Sequence, residues 1–306
     1  MSSHIYTFSL LIITIVILPL LFFILQKNLL YVIVNDIRLG RILHYVALMV
    51  FGASLFYKTS YAYDKISLDT LLLFFLFTVT LVYAAVFAIV TNNIEDIDAD
   101  KITNPHRPLV KNIVQQQPYF LAGVTCLVVA LLTAILVDVV LFTSILLISV
   151  GYYIYSCRPF RLKRIPFLSK FIIGLNSLIV AMGAFCLAGG TLTDFPLLWL
   201  IFILFPLSLS ANFVDLKDIE GDRQTGIKTL PVFFGEKRAL IIISVSTFIT
   251  YIFAAVILNI FWVYPLVILS ALLHIWFLFK KPYKEAPVFF VFLSGIFGLS
   301  VLLYLS

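Results

Sequence analysis

Asn92, Asp96 and Asp100 recur at four-residue intervals in the stretch Asn92-Asn93-Ile94-Glu95-Asp96-Ile97-Asp98-Ala99-Asp100. A helix would stack them along one face. Three oxygen-bearing side chains, two of them mutually repelling carboxylates, call for a hard divalent cation between them. A second set, Asp215, Asp218 and Asp222, has the spacing i, i+3, i+7, again one helical face. Eight of the fifteen acidic residues fall in the windows 95–100 and 215–222. A plain polar helix end would explain scattered acids, and Glu95 and Asp98 fit that description. It does not predict carboxylates stacked behind an Asn and followed at once by cations. Mg²⁺ is commonly held by one or two carboxylates plus substrate phosphate oxygens. The pattern therefore predicts metal ions shared with a phosphorylated ligand.

Cations stand close to both sets. Lys101 and Arg107 follow the first, and Lys217 and Arg223 sit within or just beyond the second. They would neutralise phosphate charge that the metal leaves over. Between the two sets lies the basic stretch Tyr155-Ser156-Cys157-Arg158-Pro159-Phe160-Arg161-Leu162-Lys163-Arg164. Tyr155, Arg158, Arg161 and Lys163 are candidates for the same phosphate, whereas Arg164 and Lys170 read as anchors at a membrane surface. The four histidines are scattered. His44 and His274 read as packing residues, and His106 as a weak candidate inside the first loop. Asn104-Pro105 should break the first acidic helix, and Gly221 and Gly226 should let the second acidic stretch turn.

The elements that position these groups are spans. The 306 residues are 62% hydrophobic and 12% charged, with mean hydropathy +1.12. Soluble domains have about 25% charged residues, so this composition describes a polytopic, all-α membrane protein. Apolar runs long enough to cross or nearly cross a bilayer occur at about 8–25, 41–57, 68–91, 118–137, 139–156, 167–189, 193–214, 238–259, 261–279 and 286–305. The run 41–57 reaches a span's length only if its helix starts near Ile37. Asp138 and Asn259 mark tight connections. Cys126, Cys157 and Cys186 are isolated packing residues, without a disulfide frame or thiolate metal site. No positive n-region precedes the first run, so it is expected to be a retained span. Placing both acidic stretches on one side makes the loops alternate consistently. Nineteen Lys and Arg then share that side against Lys58 and Lys65 opposite, an asymmetry that predicts a cytoplasmic location for the acidic stretches. The net charge of +6 therefore points to membrane lipids, not to nucleic acid.

At this point the chain resembles the UbiA-type intramembrane prenyltransferases, a family of helical bundles with two Asp-rich motifs. The first motif is matched by Asn92, Asn93, Asp96 and Asp100, followed by Asn104-Pro105-His106-Arg107-Pro108-Leu109; Asn93 stands where an Asp is common. The second is matched from Asp215 to Pro231. After Tyr155 the family often has a Lys at the fourth position, where this chain has Pro159. The Tyr-Ser-x-x-Pro…Leu-Lys form resembles the branch acting on homogentisate, chlorophyllide or archaeal glycerol lipids. The resemblance covers about residues 38–305. It implies a nine-span transmembrane domain over 38–306, preceded by an added helix and linker over 1–37. It also implies Mg²⁺-dependent transfer of a polyprenyl group from an isoprenoid diphosphate to an aromatic or lipid acceptor. Asn92, Asp96 and Asp100 would hold one Mg²⁺, and Asp218 and Asp222, helped by Asp215, a second, with the diphosphate bridging the two. A cyclase of the same family would share the ionisation and quench the cation internally. A transporter would instead need acids in mid-span, and the interiors 70–90 and 167–189 have none.

Overall fold

The computed structural model describes residues 27–60, 66–165 and 167–306, with 10, 11, 13–17, 19, 20 and 24 near the N-terminus. Eight of the eighteen residues of the run expected at 8–25, and Lys65, lie outside the described residues. Among the described residues the fold is all helical. In chain order the elements are α1 (Lys27–Asp36), α2 (Leu39–Ser60), α3 (Leu68–Glu95), α4 (Ile97–Thr103), α5 (Gln116–Val137), α6 (Val139–Ser156), α7 (Leu168–Leu187), α8 (Leu197–Lys217), α9 (Ile219–Gln224), α10 (Leu230–Phe234), α11 (Glu236–Leu258), α12 (Tyr264–Phe279) and α13 (Glu285–Leu305). Nine helices among the described residues are long and apolar enough to cross a membrane. The second expected run starts at Leu39, two residues later than its length seemed to demand, and reaches span length by continuing to Ser60.

Local chemistry sets the ends of these helices. Ser67 caps α3 by accepting from the amide of Thr70 at 3.1 Å. Asp138 caps α6, its Oδ1 accepting from the amides of Val140 at 2.6 Å and Leu141 at 3.4 Å. Asn259 ends α11 in the left-handed region at φ +54°, a conformation that Asn tolerates better than most residues. Both tight connections expected from the sequence are therefore present. Span α8 is not uniform: Pro206, with no amide to donate, lies in a π-helical stretch at 203–207. After three α-helical residues, 211–217 wind as a 3₁₀-helix.

The chain forms two compact units, one of residues 1–42 and 67–161, the other of residues 43–66 and 162–306. In the first, α1 is packed into the core: Leu29, Val32 and Ile33 lie buried with Val86, Val90 and Tyr119. Lys27–Asp36 is thus a structural helix and more than a connector. A Cβ on Gly123 would come within 2.8 Å of a Val90 methyl, so α3 and α5 pack closely there. In the second unit, a Cβ on Gly52 would lie 2.0 Å from the Ala181 carbonyl oxygen. Helices α2 and α7 therefore touch backbone to backbone, the contact that small residues permit between membrane helices. Ion pairs fix the helix ends of this unit: Lys217 with Glu285, and Lys281 with Glu236. Lys58 at the end of α2 donates to the Ser306 hydroxyl at 2.7 Å.

Candidate active site

The first acidic set lies where α3 gives way to α4. Helix α3 runs through Asn92 to Glu95, pauses at Asp96 (φ −101°, ψ 10°) and resumes at Ile97. The i to i−4 ladder survives the pause, because the Asp96 amide donates to the Asn92 carbonyl at 2.9 Å and that of Asp100 to Asp96 at 2.8 Å. The four-residue repeat therefore keeps its common face. Each of its three members has a partner: Asn92 Oδ1 accepts from the Ser156 hydroxyl at 3.1 Å, Asp96 Oδ1 from Arg161 at 3.0 Å, and Asp100 pairs with Arg107 and accepts from Asn104. Asn104 ends α4, as its Asn-Pro sequence predicts.

Asn93 is the hub beneath this face and is 3% exposed. Its Oδ1 accepts from Arg38 at 2.8 Å and Arg107 at 3.2 Å. Its Nδ2 donates to the Tyr119 hydroxyl at 3.0 Å, which in turn donates to Asp36 at 2.7 Å. An amide suits this position because it accepts from two guanidinium groups and still offers a donor to the phenol. Burial, with Arg41 and Arg107 nearby, pushes the Arg38 guanidinium down to about 9, still charged at neutral pH. Burial also raises the Asp100 carboxyl, against the opposing pull of Arg107 and Asn104. Exposed Asp98 behaves oppositely, held below the usual range by its hydrogen bond from Lys101.

Arg161 is buried and lies in the left-handed region at φ +42°. That conformation costs a non-glycine residue of order 1–3 kcal/mol. Here it brings one guanidinium nitrogen onto both the Glu95 carbonyl at 2.9 Å and Asp96, while Nε stays buried without a partner. Arg158, by contrast, is mostly exposed and reaches only Glu95 at 3.2 Å.

In the second unit, Lys170 is 4% exposed, and its Nζ donates to Asp215 Oδ1 at 2.8 Å. Asp215 Oδ2 is buried with no hydrogen-bond partner. The 3₁₀ winding of 211–217 changes the expected alignment. With about three residues per turn, Asn212, Asp215 and Asp218 fall in line, and Asp222 follows one turn into α9. Gly226 turns the chain at φ +71°, letting the Ile227 amide return to the Asp222 carbonyl at 2.8 Å. Gly221 does not turn the chain as expected. It lies buried inside α9, where the amide ladder holds it helical.

The other sequence candidates divide. Lys163 is buried and Tyr155 half-buried, its ring edge-on to Tyr152. Lys101, Lys217 and Arg223 are on the outer surface, paired with Asp98, Glu285 and Glu220 respectively. His106 is exposed, and His44 and His274 are buried. Cys126 and Cys157 are buried and Cys186 is half-buried.

Sequence reasoning passed over Arg38, which entered only the count of nineteen cations, and Lys170, read as a membrane anchor. A charge lying two residues inside an otherwise apolar span, as Lys170 does, is costly unless partnered, and that was the available signal. Tyr283, whose hydroxyl donates to the Phe213 carbonyl at 2.7 Å, gave none. Its phenol is pushed up by burial and by Glu285, Asp215 and Asp218.

Among the described residues, no three His, Cys, Asp or Glu side chains form a ready-made metal cage. The donor set nonetheless suits Mg²⁺, which needs only one or two carboxylates when phosphate oxygens complete its shell. The bare Asp215 Oδ2 is a ligand of the right kind.

A model of the UbiA prenyltransferase family matches residues 46–296. The digeranylgeranylglyceryl phosphate synthase of Pyrococcus horikoshii is 29% identical over 169 residues, 53% of this chain and 56% of that protein. The chloroplastic chlorophyll synthase of Oryza sativa is 31% identical over 156 residues, 48% of this chain and 41% of that protein. The chain thus spans about half the length of these relatives. In fold it is similar to a UbiA homologue from Archaeoglobus fulgidus solved with DMAPP and Mg²⁺, at 20% identity and a TM-score of 0.61, covering 86% of this chain and 98% of that one. With two Asp-rich motifs on one all-helical fold and a family match over most of its length, the chain belongs to the UbiA prenyltransferase family.

Proposed function

We propose that the protein transfers a polyprenyl group from an isoprenoid diphosphate to an aromatic or lipid acceptor within the membrane. The carrying observation is that cations withdrawn from solvent hold the acidic segments: buried Arg161 on Asp96, half-buried Arg107 on Asp100 and buried Lys170 on Asp215. Burying charges in so apolar a chain is expensive unless they meet further charge, and a metal diphosphate supplies it. Asn92, Asp96 and Asp100 would hold one Mg²⁺ and Asp215, Asp218 and Asp222 a second, with the diphosphate common to both. When bound, the ions stabilise the departing diphosphate as the allylic C–O bond ionises. The chain's own part is to fix the carboxylates through Arg107, Arg161 and Lys170, offer guanidinium donors to phosphate oxygens, and keep water from the allylic cation with apolar spans. Arg158, Lys163 and Tyr155 are proposed as further diphosphate contacts, with Lys101, Lys217 and Arg223 at the outer edge.

The metal and donor class are supported by the Archaeoglobus fulgidus homologue, solved with DMAPP and Mg²⁺. The acceptor branch is supported by similarity to the digeranylgeranylglyceryl phosphate and chlorophyll synthases. The reaction side is proposed to be cytoplasmic, from the nineteen-to-two asymmetry of Lys and Arg. The test uses purified protein in detergent with Mg²⁺, labelled geranylgeranyl diphosphate and a panel of acceptors: 4-hydroxybenzoate, homogentisate, dihydroxynaphthoate and a monoprenylated glyceryl phosphate. EDTA-sensitive transfer of label to one acceptor is the expected result. Label released as hydrocarbon whatever the acceptor would replace transfer by cyclisation, and no diphosphate release would end the reading.

A further inference from the structure

Residues 211–217 form a 3₁₀-helix seven residues long. Such runs seldom exceed three or four residues, because their hydrogen bonds are poorly aligned and side chains three apart eclipse. The stretch from Ala211 to Lys217 has no Pro or Gly to impose this winding. It reaches the acidic residues themselves, since the Asp218 amide donates to the Asp215 carbonyl, three residues back, at 3.2 Å. Contacts from elsewhere in the chain must therefore hold it.

One short segment supplies two of them. Tyr283, half-buried in the connection before α13, donates from its hydroxyl to the Phe213 carbonyl at 2.7 Å. Glu285, the first residue of α13, pairs with Lys217. Phe213 and Lys217 stand four residues apart, and in an α-helix the carbonyl of the first would accept from the amide of the second. The phenol occupies that carbonyl, and a side chain inserted at a helical carbonyl is a known cause of departure from the α-helical ladder. The Glu285 carboxylate holds the residue at the other end of the same span. Phe213 is itself anchored: its ring is completely buried, edge-on to Phe289 at 5.4 Å and Phe292 at 5.5 Å, both on α13. Asp215 lies midway between the two held residues.

We infer that Tyr283 and Glu285 are positioning residues for the second acidic segment, holding it in the 3₁₀ winding that keeps Asp215 and Asp218 in line for a divalent cation. This rests on the metal–diphosphate reading of that segment. Neither residue need touch the ion; both act through the backbone that presents its ligands.

The experiment titrates the full chain in detergent with Mn²⁺ in the presence of inorganic diphosphate, following free Mn²⁺ by its paramagnetic resonance. Asp218→Asn identifies which binding step belongs to the second segment. Tyr283→Phe removes only the hydroxyl, and Glu285→Gln keeps the shape of the side chain without its charge. In each, that step should weaken about five- to tenfold, the worth of one hydrogen bond, while the step at Asn92, Asp96 and Asp100 keeps its parental affinity. Excess Mg²⁺ should then return kcat for prenyl transfer to within about twofold of the parent's, by mass action; a merely structural loss would not respond to metal. Parental affinity at the second step in both variants would overturn the assignment, as would both steps weakening together with a fall in thermal midpoint. A parent protein that binds no Mn²⁺ with diphosphate would overturn it along with the metal site. A parent protein that binds Mn²⁺ with these variant effects but transfers no prenyl group would uphold the two positioning residues and end the transfer reading alone.

Discussion

Lys170 and Asp215 show how single residues carry the site. Each is nearly buried, and each compensates the other's charge. Removing one partner of such a pair costs about 3–5 kcal/mol, because the other is left charged in an apolar setting. Lys170→Met should therefore lower the thermal midpoint in detergent and abolish turnover, and Lys170→Met with Asp215→Leu should recover the midpoint without the activity. Recovered turnover in the double variant would remove Asp215 from the metal site. Asp100 makes a pH prediction. Its carboxyl is raised by burial, so the folded protein holds that proton more tightly than the unfolded chain does. Stability from the protonated form is present at low pH and is lost as pH rises through the raised value, while Mg²⁺ competes with the same proton. The Mg²⁺ concentration for half-maximal activity should rise on acidification, starting above the pH at which an ordinary Asp titrates. A Mg²⁺ requirement flat down to the ordinary carboxylate range would contradict this. The spacing of Asn92, Asp96 and Asp100 was enough to place them on one face. Ser156 on Asn92 was not legible, nor were Arg38 and Tyr119 on neighbouring Asn93, since they come from distant parts of the chain and carry no local pattern of their own.

At the scale of elements, apolar run length located the spans well, because in a membrane every backbone amide must bond within its own helix. It was less informative about winding. Pro206 gives a local reason for the π-helical stretch in α8, but nothing in residues 211–217 announces three residues per turn in place of 3.6. The contact between α2 and α7 depends on Gly52, whose absent side chain lets the Ala181 carbonyl approach. Gly52→Leu has no flexible neighbour to push aside, only backbone. It should separate the two helices and cost several kcal/mol of stability, read as a lower thermal midpoint and lower yield of folded protein. Gly298→Leu, where a Cβ would meet nothing within 4 Å, serves as the control and should behave nearly as the parent.

For the whole molecule, charge asymmetry turns a list of helices into a topology. If the acidic stretches face the cytoplasm as proposed, a cysteine at exposed Lys101 or Arg223 should react with a membrane-impermeant maleimide only after the cells are opened. A cysteine at exposed Thr191 or Thr193 should react in intact cells. The reverse pattern would invert the orientation while preserving the alternation of loops. The division into two compact units, each carrying one acidic segment, was not legible in a chain without linkers. It arises from tertiary contacts, with residues 43–66 joining the later helices and α1 the earlier ones.

The 3₁₀ stretch at 211–217 makes the second acidic segment a screw with a selectable pitch. At 120° per residue Asp218 returns to the line of Asp215, whereas at the 100° of an α-helix it falls about 60° short. Aligned carboxylates thus depend on a tighter and intrinsically less favourable coil. A bound cation that needs both oxygens on one line would tighten that coil against relaxation, and amide exchange at 211–218 would report its grip directly.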